Sequence, residues 1–251
     1  MEVFWIGVAI FFSTLAAALS MMYLYPVLAP HHRNDETNNI IRLVANVFVV
    51  MTSLVFGLMI NSAKNTFASI DSDVHAYATG LIIFERTLRT YGPPAEVAKA
   101  HLVTYVEQAV ANPYWDDRGR LHLKSEVSEH LDKVGIALNV IKPDDRLHEA
   151  MLGEIRQQYH ALVAQRWKIL EQSDGAIPGP LIGMLAAWMT LIFATFGYRA
   201  PKNRVVVGML VVASFLIASS VYLVLDMDIP FHGPIQVSDA PIRRALAQIS
   251  P

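Results

Sequence analysis

Apolar residues in this chain come in blocks rather than in alternation with polar ones. Four stretches carry no Asp, Glu, Lys or Arg: Val3 to His32, Leu43 to Ala63, Gly175 to Tyr198 and Val205 to Leu225, of 30, 21, 24 and 21 residues. A helix needs roughly 20 predominantly apolar residues to cross a bilayer, so the pattern predicts four membrane-spanning helices arranged as two pairs. Span one covers about Val3 to Val27 and span two about Ile40 to Asn61, joined by the polar loop His31 to Asn39. Span three covers about Ile177 to Gly197 and span four about Val205 to Leu225, joined by the short basic turn Arg199 to Arg204. The first block opens on Met1-Glu2 and ends in Tyr23, Tyr25 and Pro26. It lacks the positive start and small-residue cleavage site of a signal peptide, so it is expected to be retained as a helix.

Between the pairs lies a polar segment that reads as helices punctuated by proline. Asn65 to Arg89 continues span two with only Gly80 inside it, until Tyr91-Gly92-Pro93-Pro94 stops it. A helix is expected from Pro94 to about Val110, where a proline at the start loses nothing by its missing N–H. Asn112-Pro113 breaks that helix, and Tyr114-Trp115 is expected to pack back on the bundle. Ser125 is placed to cap a helix to about Leu138, and Lys142-Pro143-Asp144 opens one from about Asp145 to Glu171, closed by Asp174-Gly175. In that last helix Ala150, Ile155, Tyr159, Leu162, Trp167 and Leu170 recur at helical spacing. The expected fold is thus an all-α integral membrane protein of four transmembrane helices, with a helical extramembrane domain inserted between helices 2 and 3. The divisions are 1–64, 65–174, 175–226 and a C-terminal tail 227–251.

Composition narrows the class. Only 17% of the 251 residues are charged and 53% are hydrophobic, with a mean hydropathy of +0.35. A soluble domain carries about a quarter charged residues, so an ordinary soluble enzyme is excluded. The net charge of −2 offers no basic field for nucleic acid. With no cysteine there is neither a disulfide nor a thiolate metal site. Four spans put both termini and the inserted domain on one side. Lys64, Arg166, Lys168, Arg243 and Arg244 flank the membrane there, against Arg33, Arg42, Arg199, Lys202 and Arg204 on the other side. The positive-inside rule is therefore tied and leaves the protein unoriented.

Span two carries the most informative chemistry. Arg42, Asn46, Ser53, Gly57, Asn61 and Lys64 follow a period close to 3.6, with Val49 and Val50 filling the missing turn. Val44, Phe48, Met51, Val55 and Leu58 face elsewhere. Polar groups in hydrocarbon are expensive and so face protein or water. One reading is a pore-lining helix in an oligomer, with Arg42 and Lys64 attracting anions at the mouths and Val49 with Val50 forming an apolar neck. The other is a helix-packing face, which uses the same small and polar residues.

The other features point to no chemistry. Serines and threonines on spans three and four (Thr190, Ser214, Ser219, Ser220) read as interhelical contacts, and no intramembrane carboxylate relay is present. Asp228 is a candidate partner for Arg166 or Lys168, and Ser238 for capping a short helix from Pro241. No phosphate loop, His-Glu-x-x-His or Gly-x-Ser-x-Gly occurs. The adjacent His31-His32 and the pairs Asp116-Asp117 and Asp144-Asp145 sit in turns, without the convergent oxygens that Ca²⁺ requires. No enzyme activity, cofactor or metal site is expected.

The tail Leu225-Asp-Met-Asp-Ile-Pro-Phe-His-Gly-Pro-Ile-Gln-Val-Ser resembles the closing motif of the DUF4239, or bestrophin-like, family of bacterial membrane proteins. The match falls on Asp228, Pro230, Phe231, Gly233, Val237 and Ser238. Gly57 in span two, Arg166-Trp167-Lys168 and the Ile177-Pro178 start of span three stand where that family has similar features. The resemblance implies an oligomeric, anion-conducting channel of the inner membrane, pentameric, with span two on the pore and the helical domain in the cytoplasm. Small inorganic ions and other copies of the chain would be its partners. The chain departs from true bestrophins in having two isolated carboxylates, Asp226 and Asp228, instead of an acidic run. It also has only Phe48 and Phe56 on span two, both off the stripe. A membrane-anchored scaffold or sensor, whose helical domain binds a partner protein, is the competing expectation.

Overall fold

The computed structural model describes residues 2–29, 34–111, 126–172, 175–231 and 233–250. Expectations for His31, His32, Arg33, residues 112–117, Ser125, Asp174 and His232 lie outside these. The described chain folds into eight α-helices: α1 (Glu2–Leu24), α2 (Asp35–Tyr91), α3 (Glu96–Ala111), α4 (Glu126–Val140), α5 (Arg146–Glu171), α6 (Gly179–Gly197), α7 (Arg204–Asp228) and α8 (Ala240–Ile249). There is no strand among the described residues. Among the described residues, four segments are long and apolar enough to cross a membrane: Val3–Val27, α2, α6 and α7.

The helix ends follow from local chemistry. Asn34 Oδ1 accepts from the Thr37 amide at 2.8 Å, and Asp35 and Glu36 occupy the first turn of α2, where the helix dipole favours acids. α2 then runs for 57 residues without a break. It ends where Gly92 takes φ 95°, a conformation open to glycine, and Pro93 follows. Asn203 Oδ1 caps α7 by accepting from Val206 N at 2.8 Å.

The chain divides into two compact units, one of Met1–Thr66 with Gly175–Ile229 and the other of Phe67–Asp174 with Pro230–Pro251. In the first, α1 packs against both α6 and α7. Ile10, Leu185, Met189, Ala218 and Val221 form its main core, which Met59 and Ala63 of α2 join. Ala18, Phe193 and Leu210 form a smaller cluster. Thr190 Oγ1 donates to Ser13 Oγ at 3.3 Å, an interhelical contact of the kind expected for hydroxyls in these spans.

In the second unit, α2 from Ile70 onward packs with α3, α4, α5 and α8. The hydroxyls of Tyr77 and Tyr105 meet at 2.7 Å inside this core. Because Ile242, Ala245 and Ile249 of α8 are buried in it, the tail from Pro230 is part of this unit. Along α5 the buried positions are Leu152, Ile155, Leu162 and Leu170. Ala150 and Trp167, expected on that face, are exposed; Leu152 keeps the three-to-four spacing with Ile155, whereas Ala150 lies on the opposite side of the helix from Leu152. Ile155→Ala should lower the stability of this unit by about 2–5 kcal/mol, the usual result of opening a core cavity, readable by thermal melting.

Asp145 caps α5, accepting from the His148 amide at 2.7 Å and the His148 ring at 2.9 Å. The bond from the His148 backbone, then that from its ring, hold the carboxyl below the ordinary carboxylate range. A depressed folded value means the cap contributes fully at neutral pH and fades as pH falls through that value. The difference in melting temperature between wild type and Asp145→Ala should therefore be constant from pH 7 to 5 and vanish at the acid end, below about pH 4.

Candidate functional site

Around α2 the residues within the first unit sort into three sectors. Ala45, Thr52, Met59 and Ala63 are buried. Leu43, Val44, Val47, Met51, Leu54 and Leu58 are apolar and exposed. Arg42, Asn46, Val49, Val50, Ser53, Gly57, Asn61 and Lys64 are all exposed as well. At 3.6 residues per turn, the centres of the three sectors stand about 120° apart. The stripe residues are thus exposed and set apart from the packed seam, while Ile60, apolar and 41% exposed, shares their sector, and Leu43 and Asn61 stand at the same angle where it borders the apolar one.

Two local details characterise the stripe. Ser53 turns its hydroxyl back to the Val49 carbonyl at 2.8 Å, which satisfies it inside the helix. A Cβ added to Gly57 would meet nothing within 4 Å, so no packing within the chain requires a glycine there. Val49 and Val50, 40% and 67% exposed, interrupt the polar line at mid-span.

Near the start of α2, Arg199 Nη1 donates to Asp35 Oδ1 at 2.8 Å. The Asp35 hydrogen bond, then the neighbouring Tyr25, raise the Arg199 guanidinium further above its ordinary value. Arg199 has φ 61°, unusual for a residue with a side chain. Tyr198 stacks edge-on with Tyr25 at 4.9 Å, and Lys202 Nζ sits 4.9 Å over the Tyr23 ring. The sequence does not reveal these partners, since Asp35 and Arg199 stand 164 positions apart and leave no periodic trace.

The tail motif resolves into specific roles. Asp228 Oδ2 accepts from the amides of Ala176 and Ile177, both at 3.0 Å. Within the second unit, Lys168 binds Asp73 at 2.8 Å, and Arg166 Nη2 donates to Ser128 Oγ at 2.7 Å. Paired backbone amides at a turn are strong partners for a carboxylate oxygen, and nothing in the sequence advertises them. Pro230 O accepts from Val237 N at 2.8 Å, Gly233 turns the loop between them with φ 82°, and Phe231 packs against the second unit's core. Ser238 Oγ accepts from Ala240 N at 3.2 Å, but the N-cap position of α8 belongs to Asp239. No group of three His, Cys, Asp or Glu among the described residues is arranged to hold a metal ion.

Four membrane-length helices, and one of them with an uncovered polar face, define an all-helical membrane protein. A family model for the bestrophin-like domain matches residues 12–242, and the chain belongs to that family. No curated protein and no solved structure matches the chain significantly.

Proposed function

We propose that the protein is an oligomeric channel for small inorganic ions, anion-preferring, with the α2 stripes of several copies facing a shared aqueous conduit. The observation that carries this reading is the exposure of the whole line from Arg42 to Lys64. Its own chain leaves these polar groups uncovered, and within a bilayer they require water or another copy. The apolar exposed sector of α2 suits lipid or a neighbouring subunit. In this reading the protein crosses the bacterial inner membrane four times, with residues 67–174 and both termini in the cytoplasm. The family resemblance sets the expected copy number at five.

Mass measurement on the detergent-solubilised protein, followed by ion flux from proteoliposomes, tests it. A pentamer passing chloride faster than sodium supports the reading, whereas a monomer or dimer with no flux ends it. Arg42→Glu with Lys64→Glu should reverse the preference between anions and cations, because charged rings at pore mouths set the sign of the ion admitted. A second reading, a membrane-anchored scaffold, rests on the apolar side chains that the second unit exposes, chiefly Val97, Ile136, Val140 and Leu147. It predicts a partner protein cross-linked through residues 67–174.

A further inference from the structure

The chain passes between its two units at three places: Thr66 to Phe67 inside α2, Asp174 to Gly175 ahead of α6, and Ile229 to Pro230 after α7. On the first unit's side, one side chain holds two of these passages together. Asp228, the last residue of α7, is 4% exposed. Its Oδ2 takes both the Ala176 and the Ile177 amides at 3.0 Å. The turn is shaped for it: Gly175 has φ 81°, and a Cβ there would come within 2.8 Å of the same oxygen. Glycine is thus needed both for its backbone conformation and for the approach of the carboxylate.

The placement is otherwise unfavourable. A carboxylate at the C-terminal end of a helix meets the negative pole of the helix dipole, and the last turn of α7 contains no basic residue. The other carboxylate oxygen, Oδ1, is buried without a protein hydrogen-bond partner. The two amide bonds are therefore what fixes the group. Three residues further on, Phe231 packs against the second unit's core. Only Ile229 and Pro230 separate these two attachments, and the proline ring locks its own φ.

We infer that Asp228 is a positioning residue: it clamps the exit of α7 to the turn ahead of α6, so that the end of α7 and the start of α6 move as one. The inference does not depend on what the protein conducts, and failure of the channel reading would leave it intact.

Hydrogen exchange on the full-length protein tests it. In Asp228→Ala, the Ala176 and Ile177 amides should exchange about tenfold faster or more, as expected on losing a charge-assisted hydrogen bond. Peptides from the α1–α6–α7 core should keep their protection. Asp228→Asn retains an acceptor oxygen and should restore most of the protection at Ala176 and Ile177. The inference is overturned by unchanged exchange at Ala176 and Ile177. Should the alanine variant fail to fold, Asp228→Leu, which keeps the bulk of the side chain and removes the acceptor, decides: unchanged exchange at the two amides would overturn the inference.

Discussion

Replacing Gly197 with valine should prevent the first unit from assembling. Gly197 sits at the end of α6 against α1, and a Cβ built on it would overlap the backbone of Ala18, whose carbonyl oxygen and two neighbouring main-chain carbons are the nearest atoms. Ala18 is fully buried. Main-chain atoms cannot rotate aside as a side chain does, so the helices would have to separate. Small residues at helix crossings in membranes allow this close approach, and the packing contacts it creates are the main force joining such helices. Because α1 packs against both α6 and α7, displacement at Gly197 would also disturb Phe193 and Leu210 beside Ala18. Even Gly197→Ala should cost about 3 kcal/mol or more, at the upper end of overpacking effects. Thermal melting in detergent, read by the loss of the native elution peak, measures it. Gly57→Ala is the control, because the added Cβ meets open space and exposed helical alanine is about 0.5–1 kcal/mol better than glycine. Equal melting of the Gly197→Ala variant and the wild type would mean that α1 and α6 do not approach this closely.

The contrast between these two glycines illustrates what the sequence made legible. All four membrane-length helices follow from missing charge, because a bilayer imposes one length on every span. The continuation of α2 to Tyr91 was readable for a similarly local reason: nothing between Asn65 and Arg89 breaks a helix, and Gly92-Pro93 does. The α2 stripe was legible as a period, yet its exposure was not. A polar face turned toward a partner helix and one turned away from its own chain have the same spacing. Only the burial of Ala45, Thr52, Met59 and Ala63 distinguishes the two.

Pairings between distant residues were the least legible. For Asp228 the sequence offers only candidate basic partners, since charge complementarity can be read along a sequence, whereas the amides of Ala176 and Ile177 that it binds are common to every residue except proline. The bond between Asp35 and Arg199 was hidden by separation alone. In α5, apolar spacing located the helix but misplaced its face at both ends. Trp167 lies 50% exposed while Leu152 is buried; an indole can remain half in solvent, and an apolar letter in a period does not reveal that.

The second large effect is expected at the apolar interruption of the stripe. Val49 and Val50 lie between Asn46 and Ser53, all four exposed. If copies of α2 surround a conduit, these valines form its driest ring, and a narrow apolar ring blocks ions by shedding water. Val49→Ser with Val50→Ser should let water remain there and raise ion flux from proteoliposomes about tenfold or more, since each 1.4 kcal/mol removed from a barrier is worth a factor of ten. Val47→Ser with Leu54→Ser makes the same chemical change on the apolar sector, where both residues are more than half exposed. That pair should leave flux unchanged and lower thermal stability instead, because it places hydroxyls toward lipid or a neighbouring subunit. Opposite responses from the two pairs would assign the stripe to water and the apolar sector to hydrocarbon. Unchanged flux in the Val49→Ser, Val50→Ser variant, with its oligomer intact, would remove these residues as the barrier. If both pairs instead lost stability alike, neither sector would face water, and the stripe would be a contact surface between copies.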